Sequence, residues 1–443
     1  MTAYGSNRNI FSTLWNLEVR DVALADAGPL SLGQLSVWHD IRDLPKTRRH
    51  EPNNVAVWDL PPGTGLEAVR AALTALAVRH PSLRTRYDLR NPDAPRQWLP
   101  DDAQPVELTT VAPMEGGPAE LSLRLAAEPF DLGRQDGWRA RLATEGRTAD
   151  GRRAPDRLVF VKHHILADAW AQEVLRRDLL RELAAPGTLG VPALGPADLA
   201  AEQYGPDGLR RQEAALDYWR RVLDRVSATR LSAPGDAPGE VVQGTLRSSP
   251  ALYAARALAD RAGVSVAGAV LAAYVRAVGR RCDSDTLLVQ LMSANRFSGR
   301  WKDLVTSMNE WVPALVEGVD ADLTTLARAV HWGSLRAVRH GMYDVTAVAA
   351  LRARVPRAPE AACAFNHVAV PHADAGDQAP QEAVQVEPTV SFETPFTTIG
   401  PHCYARSQED GQTLTVRLTA RDTGRAQCAA LLWEVHDALL AAV

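Results

Sequence analysis

The segment Val161-Lys162-His163-His164-Ile165-Leu166-Ala167-Asp168-Ala169-Trp170 carries the residue types best suited to chemistry. Two adjacent histidines close an apolar run, Leu158-Val159-Phe160-Val161, and a carboxylate follows four residues after the second histidine. An imidazole at the end of a strand, with a carboxylate on the next turn, suits acyl transfer. Imidazole has the side-chain pKa nearest neutrality, so it can accept or give a proton at working pH. A structural role for the pair is the plainer alternative. Side chains alternate across a strand, so His163 and His164 are expected to face opposite ways, one into the core and one into a cavity. A metal centre requires three or four convergent ligands. Diverging histidines do not share an ion easily, and no metal is expected.

The chain around this segment is long and ordinary in composition. Its 443 residues allow two or three domains, and 46% hydrophobic with 23% charged residues is enough to bury a large core. The net charge is −4 and the basic residues are scattered, which excludes the basic footprint of a nucleic-acid-binding protein. Cys282, Cys363, Cys403 and Cys428 form no Cys-x-x-Cys pair and are expected to be reduced and buried. The first residues, Met1-Thr2-Ala3-Tyr4-Gly5-Ser6, lack the basic-then-apolar pattern of a signal peptide. No apolar stretch approaches the roughly 18 residues that span a bilayer. A cytoplasmic protein without membrane association is expected.

Periodicity places the elements that must hold the histidines. Leu66, Val69, Leu73, Leu76 and Ala77 predict an amphipathic helix ending near His80-Pro81. A helix is predicted over 168–183, with Trp170, Val174, Leu175 and Leu179 on one side. Others are predicted over 209–226, carrying Tyr218-Trp219, over 264–278, and over 425–442. Residues 287–291, 366–370 and 414–418 read as strands, and 371–388 as a loop. Breakers concentrate at 185–192 and again at 232–239. The expected organisation is therefore an α/β (α+β) chain of two mixed halves, 1–190 and 208–443, joined by a linker over 185–207. A cleft between two such halves is a common place for a ligand.

Several segments also resemble, in order, the motifs of one family. His163-His164-Ile165-Leu166-Ala167-Asp168-Ala169 is similar to the His-His-x-x-x-Asp-Gly signature of nonribosomal peptide synthetase condensation domains. Leu30 to Trp38 resembles the opening motif of that family, and Arg79 to Tyr87 its second. Phe130-Asp131-Leu132 with Trp138-Arg139-Ala140 resembles the segment before the histidines, and Asp217-Tyr218-Trp219 the inter-domain helix. Ser293-Ala294-Asn295-Arg296, Trp311-Val312-Pro313 and Ala364-Phe365-Asn366 resemble the later motifs.

The resemblance implies two chloramphenicol-acetyltransferase-like subdomains in a V shape with a tunnel between them. It implies a free-standing condensation enzyme of natural-product biosynthesis that forms an amide or ester. The acyl donor would be a thioester on the phosphopantetheine arm of a peptidyl or acyl carrier protein. The acceptor would be a small or carrier-bound amine or hydroxyl, and no bound cofactor is implied. A coenzyme A-dependent acyltransferase and a non-catalytic recruitment module are the alternatives.

By the same resemblance His164 is the catalytic residue, activating the acceptor, while His163 packs. Asp168 pairs with Arg296, and Arg79 is structural. Asn309, Glu310 and Trp311 line the tunnel, although Glu310, standing where many members have asparagine, could instead be solvated. Ala169 replaces the glycine of the motif, which narrows the tunnel there by a methyl group, and its backbone N–H remains available to an oxyanion.

Overall fold

The computed structural model describes residues 27–101, 104–112, 117–144, 156–226, 239–355, 360–368, 386–395, 397 and 399–443. The described residues form strands β1 (Gly28–Pro29), β2 (Asn53–Asp59), β3 (Arg86–Asp88), β4 (Arg96–Trp98), β5 (Leu108–Val111), β6 (Trp138–Ala143), β7 (Arg157–His163), β8 (Val241–Ser248), β9 (Thr286–Ser293), β10 (Glu310–Glu317), β11 (Cys363–His367), β12 (Thr389–Glu393), β13 (Cys403–Asp410) and β14 (Thr413–Arg421). The helices are α1 (Leu32–Ile41), α2 (Leu66–Arg79), α3 (Gly117–Ala126), α4 (Ala169–Ala184), α5 (Pro196–Gln203), α6 (Pro206–Arg225), α7 (Ser249–Ala262), α8 (Val266–Cys282), α9 (Leu323–Val338), α10 (Val345–Ala353) and α11 (Arg425–Leu440). The fold is mixed α/β, as expected.

The chain divides into two compact units. Among the described residues, the first holds those within 27–38, 42–205 and 298–307, and the second those within 39–41, 206–297 and 308–443. The division in the main chain therefore falls between Gly205 and Pro206, and a ten-residue excursion, Ser298–Ser307, belongs with the first unit. The segment read as a linker is not continuous coil. It contains α5, whose Leu199 and Ala200 are buried.

In the first unit, β2, β7, β6 and β5 form one sheet in that order, and β1, β4 and β3 a smaller one. The central strand β7 is the apolar run that ends on the histidines. Leu158, Val159, Phe160 and Val161 are all fully buried, and Phe160 stacks between Trp58 and Trp138 with ring centroids 5.1 and 5.3 Å apart. Burial on both faces explains why this strand reads as a continuous apolar run instead of an alternating one. α2 ends where its sequence predicts. His80, which precedes Pro81, is extended at φ −112°, ψ 97°, because proline crowds the helical conformation of the residue before it.

In the second unit a seven-stranded sheet runs β10-β9-β11-β13-β14-β8-β12, antiparallel except where β11 lies parallel to β9 and β13. Its core is built with α7, α8, α9 and α11. The predicted strand at 366–370 is shifted: β11 covers Cys363–His367, and Ala369 and Val370 lie outside the described residues. The same holds for most of the predicted loop at 371–388 and of the breaker-rich 232–239. No single described helix is long and apolar enough to cross a membrane.

Candidate active site

β7 delivers the two histidines into a strand-to-helix turn that leads to α4. Ladder pairing sets Asn53 opposite His163, the His163 N–H donates to the Gly137 carbonyl at 2.8 Å, and the His164 N–H donates to the Pro52 carbonyl at 2.8 Å. The approach at Gly137 leaves no room for a side chain. A Cβ there would sit 2.5 Å from Leu166 Cδ1 and 2.9 Å from Leu132 Cδ2.

The two imidazoles have separate environments. His163 is 3% exposed, and its Nδ1 accepts the Ile165 N–H at 3.2 Å, which leaves its own proton on Nε2. Burial pushes its pKa down to about 3, with help from the neighbouring His164 and Lys162 charges. It is a neutral structural side chain at any physiological pH.

His164 is half-buried. Its Nδ1 is buried without a hydrogen-bond partner among the described residues. Its pKa is lowered from the usual imidazole value, by burial first and by the Lys162 charge second. The Asp168 carboxylate and the carbonyls of Ala167 and of His164 itself partly oppose this. The ring is therefore held neutral with a lone pair to offer, the protonation state a base requires.

Asp168 is 3% exposed and caps α4, its Oδ1 accepting the Ala171 N–H at 2.9 Å. A carboxylate there satisfies one of the orphan N–H groups of the helix and complements its dipole. Ala169 is the first residue of α4 and is exposed. Its φ is negative, so alanine in place of glycine costs no backbone strain. Its N–H belongs to the first turn, which has no intrahelical acceptor.

The second motif buttresses this turn. Ser82 Oγ donates to the Leu166 carbonyl at 2.7 Å, and Trp138 Nε1 donates to the Leu83 carbonyl at 3.0 Å. His80 Nε2 lies 2.9 Å from Asp178 Oδ2 on α4, both buried, and Asp178 is held below the usual carboxylate range by His80 and Arg177 against the opposing effect of burial. Arg79 is not part of the turn. Its guanidinium donates to the Val191 carbonyl, and its own carbonyl accepts the Ala193 N–H at 2.8 Å, so it fastens the segment that follows α4. The opening motif is tied to the second, because Gln34 Nε2 donates to Tyr87 Oη at 3.0 Å.

The remaining residues singled out in the sequence lie in the second unit. Arg296 is half-buried, with Nη1 donating to the Ala294 carbonyl at 3.2 Å. It follows Asn295, a left-handed residue at φ 54° whose side chain ties the Met308 and Gly341 carbonyls together at 2.8 and 2.7 Å. Asn309 and Trp311 are half-buried, and Trp311 meets Tyr404 edge-on at 5.2 Å.

Strand alternation puts Glu310 on the opposite face from its two neighbours, and it is 1% exposed. That burial excludes the solvated reading of its carboxyl group. Neither oxygen has a hydrogen-bond partner of good geometry among the described residues. Burial raises its pKa well above the carboxylate range, the Asp344 and Asp40 charges add to this, and the Tyr343 N–H opposes it only slightly. Sequence reasoning missed this neutral acid, the buried Lys162 beside the histidines, and the need for glycine at 137. Each depends on contacts distant in sequence.

Comparison with known proteins decides the family. The Condensation domain model matches residues 46–370. The chain belongs to the Condensation domain family. Among curated proteins this condensation domain is 28% identical over 233 residues to the nonribosomal peptide synthetase kk1B of Curvularia clavata. It is 32% identical over 258 residues to the phosphinothricin tripeptide synthetase PhsC of Streptomyces viridochromogenes. Those matches cover 49% and 54% of the chain but only 2% and 23% of the relatives, which are much longer proteins.

Solved structures share the fold. The condensation domain of the Monacolin K polyketide synthase MokA superposes with a TM-score of 0.76 at 17% identity, covering 94% of this chain and 97% of that one. SgcC5 of Streptomyces globisporus gives 0.72 at 20% identity, covering 94% and 98%. The chloramphenicol-acetyltransferase-like fold class expected from the motifs is thereby shown.

Proposed function

We propose that this condensation domain transfers an acyl or aminoacyl group from a carrier-bound phosphopantetheine thioester to an amine or hydroxyl acceptor, with His164 as its proton acceptor. The observation that carries the reading is the state of His164, a neutral imidazole at the end of β7 with its Nδ1 buried. With the proton on the buried Nδ1, the lone pair sits on Nε2. From there it hydrogen-bonds the acceptor N–H or O–H and takes its proton as the nucleophile attacks the thioester carbonyl.

The first-turn N–H of Ala169 supplies a donor for the oxygen that becomes negative in the tetrahedral intermediate. Collapse of that intermediate expels the thiolate, and the proton held on His164 returns to it. His163 and Asp168 do not touch the reacting atoms in this scheme. They hold the turn and the start of α4 in place.

The test is acyl transfer from matched donors, one set loaded on carrier proteins and one on coenzyme A, to a panel of amines and alcohols, followed by intact mass. Transfer from carrier-bound donors is expected. Equal or better turnover from coenzyme A would make the chain a coenzyme A-dependent acyltransferase. Carrier binding without turnover of any donor would make it a recruitment module.

A further inference from the structure

We infer that the basic groove between α6, β10 and the end of α9 is a binding site for a small ligand carrying two or more phosphate groups. The groove encloses about 650 Å3 and lies wholly within the second unit. That volume is the size of a small-molecule site. α6 is strongly amphipathic: Trp219, Val222 and Leu223 are buried, and Arg211, Arg221 and Arg225 line the groove. Arg336 and Arg339 face it from α9 and the turn that follows.

The charges in this groove are not balanced internally. Glu317 is the one carboxylate in its lining, and Arg225 Nη2 already engages it at 2.9 and 3.1 Å. Arg221, Arg336 and Arg339 make no ion pair among the described residues. Elsewhere in the same unit arginines are matched: Arg256 reaches Glu409 at 2.8 Å and Arg281 reaches Glu434 at 2.6 Å. In a chain of net charge −4, three uncommitted guanidinium groups around one cavity repel one another and gain from a shared anion. The planar fork of arginine fits phosphate oxygens in pairs, and three such forks exceed what one monoanion can satisfy.

The wall of the groove is already fixed. Tyr218 stacks on His340 with ring centroids 4.5 Å apart and planes 9° from parallel, and Tyr218 Oη donates to the Pro313 carbonyl at 2.7 Å. Little ordering is left for a ligand to impose, which favours affinity. Burial and the Arg221 and Arg339 charges hold His340 below its usual pKa. A bound polyanion would offset the arginine contribution, so the imidazole reports on occupancy.

Inorganic pyrophosphate is the probe, titrated calorimetrically at constant ionic strength with orthophosphate as the weaker comparator. One saturable site is expected, and Arg221→Gln and Arg336→Gln are each expected to weaken it about tenfold. Arg210→Gln, on α6 but paired with Asp207 and outside the groove, is expected to leave affinity unchanged. The His340 imidazole should titrate at higher pH with pyrophosphate present, followed by NMR. Absence of saturable heat would overturn the site. So would equal weakening by all three substitutions, which would show diffuse surface charge.

Discussion

His163 Nδ1 accepts the backbone N–H of Ile165 at 3.2 Å, and this bond separates the two adjacent histidines by function. It occupies the lone pair of His163 and closes the turn after β7, while His164 stays half-buried beside it. A histidine whose folded pKa is depressed lowers stability as pH falls, because the unfolded chain binds the proton first. Wild-type stability is therefore expected to decline from about pH 6.5 toward the folded value of about 3, at up to about 1.4 kcal/mol per pH unit from this group. His163→Asn should remove that share of the slope in urea melts taken at pH 7, 6 and 5. An identical slope in the two proteins would mean that His163 titrates normally.

The pKa of His164 is also depressed, but here the consequence is kinetic. A base works only when neutral, so activity should hold as pH falls below the ordinary imidazole value of 6.5 and be lost only through the lower one. The acid limb of kcat/KM measures this. A limb at or above 6.5 would contradict the environment described for the ring.

Gly137 should not tolerate a methyl group. Leu166 and Leu132 would have to shift, and overpacking of this kind costs about 1–3 kcal/mol. Because Leu166 lies two residues after His164, Gly137→Ala is expected to reduce turnover more than its effect on Tm alone explains. Wild-type stability and activity in that variant would show that the turn has slack.

Glu310 should destabilise the fold as pH rises. An acid whose folded pKa is raised must either hold its proton against the solvent or be buried charged. The cost grows from the unfolded carboxylate value upward to the folded one. Glu310→Gln is expected to stabilise the protein at pH 7 and above, with little gain at pH 4.5. A gain independent of pH would show that the carboxyl group is not the cause.

The elements around the site were largely legible because local rules govern them. Pro81 ends α2, the apolar spacing from Trp170 to Leu179 marks α4, and the apolar run of β7 has the length of a buried strand. Other features come from long-range contacts that no spacing reveals. The excursion 298–307 belongs with the first unit, because Trp301 donates to Glu202 and the Lys302 carbonyl accepts from Trp170. The helix α5 lies inside a stretch whose Pro and Gly content reads as linker. Glu310 stands in a tunnel motif by resemblance, with a solvated carboxylate as the alternative, and is 1% exposed because β10 turns that residue inward.

The central claim is that His164 moves the proton. Its most direct measurement is single-turnover acyl transfer by His164→Ala beside wild type, with circular dichroism and Tm confirming an unchanged fold. The rate is expected to fall by about 100-fold or more, the usual size of a lost acid–base contribution. Transfer at the wild-type rate by the folded variant would contradict the assignment.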